Sequence, residues 1–204
     1  MIKGLYDSFA ARWYRGGSVW FYSDPHFADN EMQDLRHNYI SDEEQVKRIN
    51  SKLGKNDTII FLGDIGDVSL IKKIKGYKVL VMGNHDAGST NYIDAFDEVY
   101  EGILTIGPKI VLSHEPVNIP YAFNIHGHVH SMEVKDDDMH LNVCAEHIDY
   151  TPVCLSKLIK QGLFTDVKNI HRDTIDKARN KKKKKVNKEV GQWVIGYMYQ
   201  DLFY

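Results

Sequence analysis

The stretch "NIHGHVHS" (124–131) sets histidines at positions 126, 128 and 130. In an extended strand alternate side chains share a face, so three imidazoles would stand together there. Neutral rings gain little from such crowding, and a common positively charged ligand would account for it. Further donors end apolar runs elsewhere: Asp24 and His26 in "SDPHF", Asp64 in "GDIGD", Asn84, His85 and Asp86 in "GNHD", and His114 in "SHEP". Carboxylates, an amide oxygen and imidazoles are the donors that Mn²⁺, Fe²⁺ and Zn²⁺ accept, so the expected chemistry is that of a divalent-cation centre. Glycine precedes Asp64, Asn84 and His128, where a sharp backbone turn would aim each side chain inward.

Residues this far apart need a scaffold that gathers them. Five short runs rich in Val, Ile and aromatics, at 18–24, 58–64, 78–84, 109–114 and 123–128, read as buried strands, each followed at once by polar text. Between them, "SDEEQVKRINSKL" (41–53) reads as a helix. Ser41 and Glu44 have capping-box spacing, and Val46, Ile49 and Leu53 share one face. "DVSLIKKIK" (67–75) reads as a shorter helix and "TPVCLSKLIKQG" (151–162) as a closing one. Alternating strands and helices imply a largely parallel first sheet, and the strand-rich text after residue 98 an antiparallel or mixed second one. Strand carboxyl ends meet at one edge of an open α/β sheet, where the polar residues would converge. The segments 26–39 and 115–123 read as loops that would set specificity.

At 204 residues and 43% apolar, the chain can bury one full core. Residues 1–165 form the expected domain, with a net charge of −7; residues 166–204 carry +5. Within that end, 166–188 reads as a basic linker or frayed helix containing Lys181–Lys185, and 189–204 as an aromatic tail suited to self-association. The lysine block could also meet nucleic acid through its phosphates. The start of the chain lacks the apolar stretch of a signal peptide and reads as a short helix with Ile2, Leu5, Phe9 and Trp13 on one side. Cys144 and Cys154 are far from any C-x-x-C spacing. No membrane span and a reduced, cytoplasmic setting are expected.

The ordered set D-x-H, G-D-x-x-D, G-N-H-D, an isolated His and G-H-x-H resembles that of calcineurin-like metallophosphoesterases. It is especially similar to their small bacterial and phage-type branch, over roughly residues 18–160. The resemblance implies an α/β fold of two packed mixed β-sheets flanked by helices, the αββα sandwich. It implies that Asp24, His26 and His130 bind one metal, that Asn84, His114 and His128 bind a second, and that Asp64 bridges them. The implied activity is hydrolysis of a phosphoester, with phosphodiesters or nucleotides favoured, by a hydroxide held between the ions. Mn²⁺ is the favoured metal, with Fe²⁺, Zn²⁺ or Ni²⁺ fitting the same donors. His85 would protonate the leaving group, Asp86 would orient and charge that imidazole, and Asp67 would orient a ligand from behind.

His126 matches no ligand position and reads as a strand histidine packed near the site. His147 is a candidate substrate contact, while His37, His140 and His171 read as surface residues. Two other functions fit less of the pattern: a nuclease or end-processing enzyme that uses the basic tail, and a non-catalytic scaffold on the same fold. A protein serine/threonine phosphatase is disfavoured, because Val68 follows Asp67 and Asp86 follows His85 where that branch places arginines or their neighbours.

Overall fold

The structure, a computed structural model, describes residues 16–106 and 109–167. The expected N-terminal helix, the lysine block and the aromatic tail lie outside the described residues. The first half builds β1 (Val19–Tyr22), α1 (Asn30–Leu35), α2 (Asp42–Lys52), β2 (Thr58–Phe61), α3 (Val68–Ile71), β3 (Tyr77–Val81) and β4 (Glu98–Tyr100). The second adds β5 (Leu104–Thr105), β6 (Ile110–Leu112), β7 (Phe123–His126), β8 (His140–Asn142), β9 (Val153–Cys154) and α4 (Leu155–Lys160).

Two mixed sheets result, packed with helices in an α/β fold. One has the order β4-β3-β2-β1-β9, parallel except where β9 runs against β1. The other has the order β5-β6-β7-β8, antiparallel at β5 and β6 and parallel beyond. Alternation along the strands decides the layers. Val19 and Phe21, Ile60 and Leu62, and Val79 and Val81 join Leu112, Phe123 and Ile125 in one core cluster. The intervening Tyr22, Ile59, Phe61 and Leu80 belong to a second cluster, with Val46 and Ile49 of α2 and Leu70 and Ile71 of α3.

Ser41 Oγ caps α2 by accepting the Glu44 N–H at 3.3 Å. The Glu44 carboxylate does not reach back to complete a capping box; it meets Lys47 at 2.9 Å and Arg48 at 3.4 Å on the exposed face. Segment 26–39 is not all loop, since Asp29 caps α1 through the Glu31 and Met32 amides. Residues 153–154 pair with β1 before the closing helix begins at Leu155. Among the described residues no helix is long and apolar enough to cross a membrane. Both cysteines are free and buried.

Ile49 is fully buried where α2 meets the first sheet. Ile49→Ala should lower unfolding stability by about 2–5 kcal/mol, read from urea denaturation midpoints at unchanged slope.

Candidate metal centre

The ends of β1, β2 and β3 in one sheet and of β6 and β7 in the other lead directly into the polar residues. Backbone hydrogen bonds lace these ends together: Asp24 N–H donates to the Gly63 carbonyl (3.1 Å), His26 N–H to Asp64 (3.0 Å) and Gly127 N–H to His114 (2.9 Å). Four of the candidate ligands adopt left-handed backbone, Asp24 at φ 54°, His26 at 44°, Asp64 at 53° and His128 at 68°. That region costs a non-glycine residue on the order of 1 kcal/mol, and such strain gathers at functional sites.

The sharp turns are therefore made by the ligand residues themselves. Of the three preceding glycines only Gly63 has positive φ, 94°. Gly83 and Gly127 are needed for close approach instead: a Cβ on Gly83 would overlap Asp64 Oδ1, and one on Gly127 would overlap Ser23 Oγ and Asp24 Oδ2. The three histidines of 126–130 likewise do not share a strand face. β7 ends at His126, and the left-handed turn at His128 redirects the chain.

Seven side chains come together. The ligand atoms of Asp24, His26 and His130, and those of Asp24, Asp64 and His114, each lie within 4.8 Å of one another and could hold a metal ion. Asp24 Oδ1 lies 3.5 Å from His130 Nε2 and 4.0 Å from His26 Nε2. Asp64 Oδ2 faces both groups, 3.6 Å from His26 Nε2 and 3.4 Å from His114 Nε2. Asn84 Oδ1 is 2.8 Å from His114 Nε2 and 3.1 Å from His128 Nδ1, and those two ring nitrogens are 3.1 Å apart. Donors held about 2.1 Å from a common ion stand roughly 3–3.5 Å from each other, so many of these spacings suit edges of coordination shells.

Proton bookkeeping identifies what is missing between them. His114 Nδ1 donates to the Leu62 carbonyl at 2.7 Å, which leaves a lone pair on Nε2 of the neutral ring. That lone pair faces Asn84 Oδ1 and the Asp64 carboxylate, acceptors all. Asp24 Oδ1 and His26 Nε2 are buried with no hydrogen-bond partner. Buried acceptors facing acceptors favour positive charge between them, and the donor set could hold a divalent cation. Protons can also supply that charge. Burial opposes charging of the His114 ring, but hydrogen bonding to Asp64 and the Asp24 charge outweigh it and raise its pKa to about 9. His130 is likewise raised, against its burial, by Glu146 and Asp24. In His26 burial wins and the pKa falls.

His85 stands at the exposed rim, its ring centroid 5.7 Å from that of His26. The hydrogen bonds of the neighbouring Asp86 carboxylate go elsewhere than to this ring. The Asp86 carboxylate accepts the amides of Gly83 (2.8 Å), Asp64 (3.0 Å) and Ile65 (3.0 Å) and the Tyr92 hydroxyl (3.0 Å), so it braces two ligand loops instead. Asp67 is exposed and caps α3 through Ser69. His126 is buried behind the centre, with Nδ1 2.8 Å from the Gly127 carbonyl. His147 Nε2 is buried without a partner. His140 is more than a surface residue, since its ring lies between Asp137 and the Val117 carbonyl, and His171 lies outside the described residues.

Sequence reasoning passed over a buried ion pair. Glu146 accepts from His130 Nδ1 at 2.6 Å and from Arg36 at 3.3 Å, while Arg36 donates to the carbonyls of Asp24 and, at 2.9 Å, Pro25. One pair thus fixes the His130 tautomer and the backbone under Asp24, both facing the same group of donors. Two charged residues in unrelated segments carry no spacing signal, although Glu146 interrupts an otherwise apolar run, "NVCAEHI".

Glu146→Gln should weaken cation binding by about 10–100-fold in calorimetric titration, chiefly at the site containing His130. The raised rings of His114 and His130 must lose protons when a cation binds, so cation affinity should climb with pH through neutrality, with proton release visible as buffer-dependent heat. A raised folded-state pKa stabilises below the unfolded value and is lost as pH rises through the folded one. The cation-free protein should therefore lose stability between about pH 6.5 and 9. Saturating Mn²⁺ should remove that loss in thermal melts.

No known protein family's pattern matches the chain, and no curated protein does. Among solved structures the chain is similar to a protein of unknown function, AQ665 from Aquifex aeolicus, at 25% identity and a TM-score of 0.60. The likeness covers 71% of this chain and 99% of that one, and it carries the fold.

Proposed function

We propose that the chain is a divalent-metal-dependent phosphoesterase, a hydrolase with a binuclear centre of the kind its motifs resemble. One observation carries the reading. Seven Asp, Asn and His side chains from five strand ends gather at one site, where Asp24 Oδ1 and His26 Nε2 are buried without a partner and Asp64 Oδ2 lies between two groups of donors. Asp24, His26 and His130 would hold one cation, Asn84, His114 and His128 the other, and Asp64 both. Mn²⁺ suits this set, and Fe²⁺, Zn²⁺ or Ni²⁺ would accept the same donors. When bound, such a pair supplies Lewis acidity, polarising phosphoryl oxygens and lowering the pKa of water.

The chain's own residues prepare the reaction. Among the described residues two carboxylates, Asp24 and Asp64, face the candidate centre, so two dications there would leave positive charge to attract a phosphate. Asp64 Oδ1 accepts the His85 amide at 3.0 Å, which fixes the His85 backbone beside the ligands. From that exposed position the imidazole can meet the leaving oxygen and give it a proton. Asp86 contributes rigidity, since its four contacts tie the Asp64 turn to the Asn84 turn.

Incubation with Mn²⁺ and bis-p-nitrophenyl phosphate should give turnover that a chelator abolishes and Asp64→Asn lowers by at least about 100-fold. Turnover no higher than in that variant would overturn the proposal. His85→Ala should slow an alkyl phosphoester by about 100-fold or more and a nitrophenyl ester much less, because nitrophenolate leaves without a proton.

A further inference from the structure

Beside the Asn84 and His114 edge of the candidate metal centre lies a cavity of about 310 Å³, lined from the end of β3, the segment before β5 and the segment after β6. Its apolar walls come from Val81, Met82, Ile103 and Val117, and Gly102 leaves one side open. Ile103 is 55% exposed. The facing wall is rigidly built. Asn124, buried at 2% exposure, accepts the Val117 amide through Oδ1 at 2.8 Å and donates through Nδ2 to Ser113 Oγ at 2.9 Å. Ser113 Oγ donates to the Glu115 carbonyl at 2.6 Å. A buried amide thus pins both ends of the turn that bounds the cavity, so the space is formed in advance of any ligand.

The lining chemistry selects an occupant. Among the described residues none that lines the cavity is lysine or arginine, and the one charged lining residue away from the metal-facing edge is Glu115. A second phosphate would find no counter-charge here and one repelling carboxylate. An uncharged, flat group would find apolar walls and a volume of the right order.

We infer that this cavity is the leaving-group subsite, and that it takes one compact uncharged aryl or heterocyclic group of a phosphoester, of nucleobase size, in preference to a polyanionic chain. The substrate class rests on the phosphoesterase reading; the cavity's preference can be measured without turnover. The probes are phenylphosphonate and methylphosphonate, titrated calorimetrically into the Mn²⁺-loaded full-length protein and its Ile103→Trp variant, which fills the cavity from an exposed position. The wild-type protein should bind phenylphosphonate about tenfold or more tighter than methylphosphonate, and the variant should lose that difference while keeping methylphosphonate affinity within about twofold. Equal affinity for the two phosphonates in the wild type, or equal weakening of both in the variant, would overturn the subsite and leave the phosphoesterase reading standing. Failure of both phosphonates to bind would overturn both. Discrimination between phosphonates without any metal-dependent hydrolysis would uphold the subsite and sink the catalytic reading alone.

Discussion

The centre is organised by an electrostatic debt: buried lone pairs pointed at buried lone pairs. Asp24 Oδ1 and His26 Nε2 are out of reach of water and of any donor, and His114 Nε2 faces oxygen atoms on two sides. In a low-dielectric setting each such group costs on the order of 1–3 kcal/mol unless something positive sits between them. Protons can fill part of the gap, which is why the His114 ring holds one up to about pH 9. A divalent cation would fill it better, because it would satisfy several acceptors at once.

Other features follow from holding that arrangement in place. Left-handed turns at Asp24, His26, Asp64 and His128 bring the side chains inward, and glycines at 83 and 127 let neighbouring loops close to van der Waals distance. Strain of that kind persists only where the surroundings over-determine it. Here the bracing is polar and specific. Asp86 collects three amides and a tyrosine hydroxyl from two loops, and the Arg36–Glu146 pair reaches from the Asp24 and Pro25 carbonyls to the His130 ring. Both carboxylates stand one step behind the candidate ligands. Asp86 therefore matters for where Asp64 and Asn84 stand.

The two-sheet architecture explains why the centre opens sideways as well as outward. Strands β1, β2 and β3 deliver ligands from one sheet, and β6 and β7 from the other. Where the sheets part beside Asn84 and His114, apolar side chains are left facing a gap, and Asn124 keeps the far wall from collapsing into it. A metal centre on a single sheet edge would lack this flank. The gap lined by Val81, Met82, Ile103 and Val117 lies directly beside Asn84 and His114.

Read alone, the sequence determined five apolar strands, the start of one helix and the polar residues that follow the strands. Short Val- and Ile-rich runs ended in Asp, Asn and His, their alternation assigned inner and outer faces, and Ser41 marked the start of α2. Those signals are local: a strand's periodicity and a cap's spacing survive in one dimension. Only tertiary structure decided which carboxylates act and which brace. Asp67 and Asp86 follow glycine-rich turns much as Asp64 does, yet one caps a helix and the other gathers amides. The same holds for the pairing of Glu146 with Arg36, 110 residues away, and for glycines that serve approach instead of turning. Hydrogen-bond partners are set by how two sheets meet, and no spacing along the chain records that geometry.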